Sequence, residues 1–492
     1  MSKLLTKFKR NAIDSFITDV GASNNYYVFV GGQSEYPTSN VTVEVDSVET
    51  TYNSWNELMF GKKANFIRMT DKYVWTSNTV YTQYDDTVDL SDENFFVVTS
   101  TRDVFKCIYN NGVSSTTEPT KRALKIGVPV KELDGYEWLY LYTIDKSDYT
   151  KFATANYMPV VANTLIANAA IDGSIFNIVV ETDGEDYPYH NGNVSFTNTS
   201  TIQLETGANS AINYYKDSSI AIIEANTGTT YVRKILSSNS TLWVTTESFP
   251  NNFLSNTGCQ YVVGPTVTVA SETGNGVIAY SVVDTGVVDK IQLVEYGTGY
   301  KDATVSIEAG SGLGTGAVAR AIISPLGGHG SNVHDELHVD SLGIHCLFDE
   351  WGVGNTFNAD VTYRTVGLLK NPTYANGTLY TANTFNELST INISAGTGTF
   401  TYGEIVKGTA SNNFGRFAYA NSDIVLLTGT NGTFVIGEDI VGADSRARRT
   451  VTANSSAVDL KLYSGEVLYV QNIQEVARSI SNKEQVKLII SF

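Results

Sequence analysis

Cysteine, proline, basic charge and long apolar runs are all scarce in this 492-residue chain. The three cysteines, Cys107, Cys259 and Cys346, are widely spaced and form no Cys-x-x-Cys pair. An odd number at such spacing argues against a disulfide framework and favours a reducing compartment. No apolar run approaches the ~18 residues of a membrane helix. The first residues carry lysines with no apolar stretch behind them, unlike a secretory signal. A membrane is therefore not expected as a partner, and Asn-x-Ser/Thr triplets such as the one at Asn376 read as turn chemistry rather than glycan sites. Basic residues number 33 against 51 acidic ones, giving a net charge of −18. Nucleic acid would be repelled by that charge unless a basic stripe existed. The one basic cluster, Lys3, Lys7, Lys9 and Arg10, falls on a helical pattern and reads as its solvated face.

What is abundant points to β structure. Tyrosine (29), phenylalanine (21) and glycine (41) dominate, with only 9 prolines and 17% charged residues. Aromatics with many glycines suit numerous short strands joined by tight turns, and the low charge excludes a disordered chain. The length implies more than one domain. Leu4 to Thr18 reads as a helix with Leu5, Phe8, Ala12 and Phe16 on one face and Gly21 as its stop. Tyr26 to Gly32 reads as a strand, Trp55 to Phe60 as a helix end before Gly61, and Lys62 to Trp75 as extended chain. Phe95 to Tyr109 and Tyr136 to Ile144 are aromatic and β-like, the second after the Asp134-Gly135 turn signal. The last thirty residues alternate in the manner of strands, with Val467 and Tyr469, then Val486, Leu488, Ile490 and Phe492. A paired terminal strand would place Phe492 inside a domain with N-terminal partners.

The middle of the chain repeats itself. A unit from Asp172, DGSIFNIVVETDGEDYPYHNGNVSF, is similar to DTGVVDKIQLVEYGTGYKDATVSI from Asp284. Each reads as strand, glycine turn ending in tyrosine, strand. Gly310 to Ile323 echoes Val267 to Val283, so two tandem hairpin units are expected, with more strand-rich sequence over Ile212 to Val262 between them. A second repeat pairs GTFTYGEIVKGTAS at Gly398 with GTFVIGEDIVGADS at Gly432, at an offset of 34 residues. Alternation and glycines exclude helical repeats of similar period, leaving two stacked β units.

One ordered set of motifs carries a resemblance. It runs from KFKR in the first helix through FVGGQSEYP, Trp55-x3-Met59 with Gly61-Lys62-Lys63, and Trp75 and Tyr81 before Tyr84-Asp85-Asp86. It continues with VFKCIYNN, DGYEWLYLYTI, NYMPV at Asn156 to Val160, and SGEVLYVQN before the last strand. The set resembles the smaller, dimeric wedge subunit of the baseplate in T-even-like contractile-tailed bacteriophages, over about residues 1–160 and 460–492. The chain departs from the family after Asn472, where Ile473-Gln474-Glu475 replaces a proline-containing continuation. The resemblance implies a structural virion protein of the tail baseplate, made in the host cytoplasm. It also implies a homodimer that links neighbouring wedge proteins, contacts tail fibre proteins and helps relay the signal for sheath contraction.

No motif for chemistry completes itself. In His329 to Cys346, His334 and His338 would share one helical face, as zinc ligands do. The protease motif needs glutamate directly after the first histidine, to act on metal-bound water. Asp335 stands there, Glu336 comes one step late, and Gly343 and His345 miss the longer spacing. A polar segment that starts a short helix is the expectation. Gly297-Thr-Gly299 and Gly310-Ser-Gly312-Leu-Gly314 lack the Lys-Ser/Thr of a phosphate loop and read as hairpin turns needing positive φ. Asp85-Asp86, Asp89 and Asp92-Glu93, like Glu181, Asp183 and Glu185-Asp186, lack calcium-loop spacing and read as solvated loops. No Gly-x-Ser-x-Gly elbow occurs, and Cys107 sits in an apolar strand as a buried thiol would. No catalytic, cofactor or metal residue is assigned, and no enzyme activity is expected.

The expectation is therefore a mainly β chain, α+β in its terminal domain. A β-sandwich-like core would form from residues 1–164 plus 456–492. An inserted β domain with hairpin repeats would span 165–325, a connecting segment with a short helix 326–390, and a second β repeat pair 391–455. A receptor- or glycan-binding fibre or tailspike-type protein, with depolymerase activity, is the competing function. Against it, fibre repeats usually run to the chain's end, whereas these are inserted.

Overall fold

The structure, a computed structural model, describes residues 6–22, 24–32, 41–43, 47–121, 126–225, 227–250, 258–349, 357, 360–455, 459–479 and 481–492. Lys3 of the basic cluster, Leu4 and Leu5, residues 33–37 of FVGGQSEYP and residues 456–457 of the expected junction lie outside them. The fold is mainly β, with 46% strand and 10% helix. Two compact units divide the chain. One comprises Met1–Met69, Thr150–Ala153 and Asp340–Phe492, and the other Thr70–Tyr149 and Thr154–Val339.

The first unit is built on a six-stranded antiparallel sheet. Its order is Val41–Val43, Glu466–Arg478, Val361–Lys370, Tyr26–Gly31, Leu58–Lys63, Thr384–Asn386. Tyr26–Gly31 is central and buried along its whole length, which its unbroken run of β-branched and aromatic residues permits. Tyr27, Phe29, Trp55, Leu58, Leu369 and Phe385 form the core around it. Gly61 does not end a helix. The helix Val48–Asn56 stops earlier, and Gly61 lies mid-strand, where a Cβ would come 2.1 Å from the Phe385 ring. The first helix, Thr6–Gly21, turns Ile13 and Phe16 inward, Phe16 meeting the rings of Tyr26 and Phe66, while Phe8 is 64% exposed rather than on the packed face.

The terminal strand corrects two expectations. Glu484–Ser491 pairs directly with Ser341–Phe348, and only through that strand meets N-terminal sequence at Asn65–Asp71. Phe492 itself is 37% exposed. Residues 326–390 are not a connector, because Val361–Lys370 is an inner strand flanked on both sides by ladder partners. The two compact units also differ from the expected domains, since residues 70–149 group with the repeat region and 391–455 with the terminal segments.

The 34-residue repeat forms a closed six-stranded barrel, in the order Ser389–Ile393, Ile424–Thr428, Phe414–Ala420, Ile405–Gly408, Asp439–Gly442, Arg448–Ser455. The copies are interlaced and not stacked. Lys407 pairs with Val441, and Val406 and Gly408 pair with Gly442 and Ile440, so the ladder is self-complementary about its middle. Ile391 pairs with Val425 in the same manner. Stacked copies would each leave an open sheet edge, and exchanging strands removes it. Phe400 and Phe434, at equivalent repeat positions, fill the interior with Ile391, Val406, Val425 and Ile440.

The second unit holds an antiparallel sheet of Phe96–Val98, Asp103–Tyr109, Glu137–Thr143 and Val130–Lys131. Beside it lie three two-stranded ladders made by the hairpin repeats. Ile175–Glu185 pairs with Thr315–Ile323, Asn275–Asp284 with Val287–Thr298, and Thr266–Ala270 with Thr304–Glu308. The first copy thus closes with the last strand of the region around the second copy, so these units too are crosswise rather than tandem. A seven-stranded sheet between His190 and Gly264 is inserted in the first copy. The expected turn glycines carry the positive φ foreseen at Gly297 (60°), Gly299 (75°), Gly312 (70°) and Gly314 (81°). Gly310 has a different reason to be glycine, since a Cβ there would lie 1.5 Å from the Lys216 carbonyl oxygen.

Candidate functional site

The histidine-rich segment folds differently from the zinc-like pattern. The helix Val333–Glu336 is a single turn, and His338 follows it with φ of 52°, so His334 and His338 do not share a helical face. His345 lies in the strand Ser341–Phe348 of the other unit, accepting from Gln485 Nε2 at 2.9 Å. Among the described residues, no group of three or more His, Cys, Asp or Glu side chains is placed to hold a metal ion.

Two other residues of that segment come together. His329 and Glu336 meet Lys106, which strand Asp103–Tyr109 points into the second unit. The Lys106 ammonium, fully buried, donates to Glu336 Oε1 at 2.6 Å and lies 3.0 Å from His329 Nδ1. Gly330 N–H donates to Glu336 Oε2 at 2.6 Å. The ammonium also stands 3.4 Å from the centre of the Tyr84 ring, a cation–π contact. Burial drives the Lys106 pKa down, with Glu336 opposing it. Burial also drives the His329 pKa down, and the Lys106 charge adds to that. For Glu336 burial works upward, and the attraction of Lys106 and His329 wins, holding the carboxyl well below its usual range. His329 Nδ1 also lies 3.1 Å from Glu336 Oε1, so the imidazole faces both members of the Lys–Glu pair. Such a trio is a clamp, because each member satisfies a group that would otherwise be buried alone. Lys106 and Glu336 have essentially no solvent-exposed side-chain surface.

Against this clamp lies a half-open cleft of about 240 Å³. Phe176 forms the shared wall: its ring stacks on His329 with centroids 5.0 Å apart and meets Tyr296 edge-on at 4.6 Å. Strand ends from the four-stranded sheet supply Tyr109, Lys131 and Glu137, and the crosswise ladders supply Asn177, Asp183, Asp289, Lys290 and Gln292. Glu137 is raised above the usual glutamate range by burial, against the pull of Lys131 and Lys290 and a hydrogen bond from Gln292. Asn177 is buried and donates from Nδ2 to the Ile108 carbonyl at 3.2 Å, which fixes its amide.

The acidic loops are partly tied down. Arg320 reaches Asp85 at 2.5 Å, Asp86 at 3.7 Å and Glu181 at 3.1 Å, joining two clusters that sequence separated. Burial would raise Asp85, yet the Arg320 and Thr87 hydrogen bonds hold it below its usual value. Asp86, more weakly served, is raised by burial. Cys107, Cys259 and Cys346 are buried thiols, and burial pushes the Cys107 pKa well upward. The residues missed by sequence reasoning are Lys106 and Glu137. Each is a charge within an aromatic strand run, VFKCIY and YEWLYLY, and that exception was the available signal. No protein-family model matches the chain, and no curated protein matches it.

Proposed function

We propose that the chain is a structural virion protein, a wedge subunit of a contractile phage tail baseplate that works as a homodimer between neighbouring wedge proteins. The ordered motif set is the basis of this reading. The observation that carries it furthest is the six-stranded sheet, where the motif strands Tyr26–Gly31, Leu58–Lys63 and Glu466–Arg478 share one ladder system despite their separation in sequence. Interlaced repeats and a buried clamp suit a part that must carry load between partners, because crosswise strands cannot separate one copy at a time. The sheath-contraction relay would then be a rearrangement at interfaces between rigid units. Mass measurement tests the reading: the purified chain should be a dimer, and should form a larger species with a wedge protein of the same baseplate. A monomer that stays alone beside those proteins would contradict it.

A further inference from the structure

We propose that the cleft beside Phe176 binds a single neutral sugar ring. The inference is independent of the assembly role, since the cleft lies wholly within the second unit. Its volume, about 240 Å³, is near the ~300 Å³ lower end of ordinary ligand pockets, a size that suits one sugar ring.

The lining argues for hydroxyl groups. A sugar hydroxyl donates one hydrogen bond and accepts two, so its site must present donors and acceptors side by side. Here Lys131, Lys290 and the amides Gln83 and Gln292 line the same cleft as the acceptors Glu137, Asp183 and Asp289, Gln292 already donating to Glu137. Two cations against three carboxylates leave no strong field of either sign, so neither a phosphate nor a multiply charged cation is favoured. The ring C–H surface of a sugar needs apolar contact, and Tyr109, Tyr296 and Phe176 line the cleft. The site is also stiff. Phe176 is held from behind by His329, which the Lys106–Glu336 pair holds in turn, and Asn177 is fixed by the Ile108 carbonyl. A wall already braced loses little freedom on binding.

The experiment titrates the full chain with free glucose, galactose, mannose, N-acetylglucosamine, glucuronate, glycine and inorganic phosphate, read by saturation-transfer NMR and calorimetry. At least one neutral sugar should bind, more tightly than glucuronate, glycine or phosphate. Gln292→Ala and Lys290→Ala should each weaken it at least tenfold, with the melting temperature of the protein unchanged. Glu137→Gln serves as a third variant that keeps the shape of the wall. Failure of every neutral sugar to bind overturns the proposal, as does stronger binding of phosphate or glycine, or sugar binding that all three variants retain.

Discussion

The barrel of residues 389–455 and the crosswise ladders of the second unit are both duplicated and interlaced, but different groups lock them. In the barrel the lock is a carboxylate. Glu404 Oε2 accepts from the backbone N–H groups of Asp444 and Ser445 in the other copy, each at 2.9 Å, and its Oε1 accepts from Thr401 N at 2.6 Å in its own copy. Glu438, 34 residues on, returns the contact to Ala410 and Ser411 at 2.7 and 2.9 Å, and to Val435 of its own copy at 2.6 Å. Gly408 and Gly442 let the carboxylates approach, since a Cβ would lie 2.6 Å from the Glu438 and Glu404 oxygens respectively. In the ladders the lock is a tyrosine. Tyr187 lies over Gly314 and its hydroxyl accepts from Ala317 N–H at 3.1 Å. Tyr300 lies over Gly274 and accepts from Val277 N–H at 3.4 Å. A carboxylate fixed by several amides holds more than a hydroxyl fixed by one, so the barrel should depend on its lock more heavily.

The largest effect expected is in the barrel. Glu404→Ala leaves the amides of 444 and 445 without their acceptor and should cost about 3 kcal/mol by denaturant unfolding, with Glu438→Ala within about 1 kcal/mol of it. A large inequality between the two would break the symmetry argument. Both glutamates have lowered pKa values, the upward push of burial being outweighed by the hydrogen bonds they accept. Their stabilisation is present above pH 4.5 and is lost as pH falls further.

A third glutamate of the same unit sharpens the comparison by inverting it. Glu387 is buried and accepts from the Leu460 N–H at 2.8 Å, but burial dominates and raises its pKa to about 8. Its protonated form therefore favours the fold fully below pH 4.5, and that contribution disappears as pH rises through about 8. Glu387→Gln should remove the alkaline loss, leaving the variant more stable than the parent at pH 9 and near parity at pH 4. Melting curves across that range check the sign, and an unchanged pH slope would show that Glu387 is not the group responsible. The smallest effect belongs to the ladders: Tyr300→Phe should cost ~1 kcal/mol, since one N–H loses its acceptor while the ring still covers Gly274.

This contrast also explains what sequence could reveal. The barrel repeat was legible because its lock needs several fixed residues: the glutamates, Gly403 and Gly437 at positive φ, Gly408 and Gly442 at close approach, and Ser411 and Ser445 on the carboxylates. The ladder repeat needs only a glycine corner and a tyrosine, so its likeness was fainter, though the turns and strands were foreseen. What remained hidden was pairing. Val361–Lys370 and Ser341–Phe348 lie in the stretch read as a connecting segment, because their ladder partners are distant in sequence, and interlacing leaves no mark on periodicity. The cleft and clamp were hidden for the same reason, because Lys106, Glu137, Phe176, Gln292 and His329 meet only through long-range ladders. The segment around His329 drew notice for its histidines, and the partner that gives it meaning was a lysine 223 residues away.

Hydrogen exchange on Glu404→Ala tests interlacing most directly. The amides of Asp444 and Ser445, in the opposite copy, should lose protection by tenfold or more, while those of Ala410 and Ser411, adjacent in sequence and held by Glu438, keep theirs. Loss of protection at Ala410 and Ser411 with Asp444 and Ser445 unaffected would mean that each glutamate serves its own copy, and the crosswise account of the barrel would be wrong.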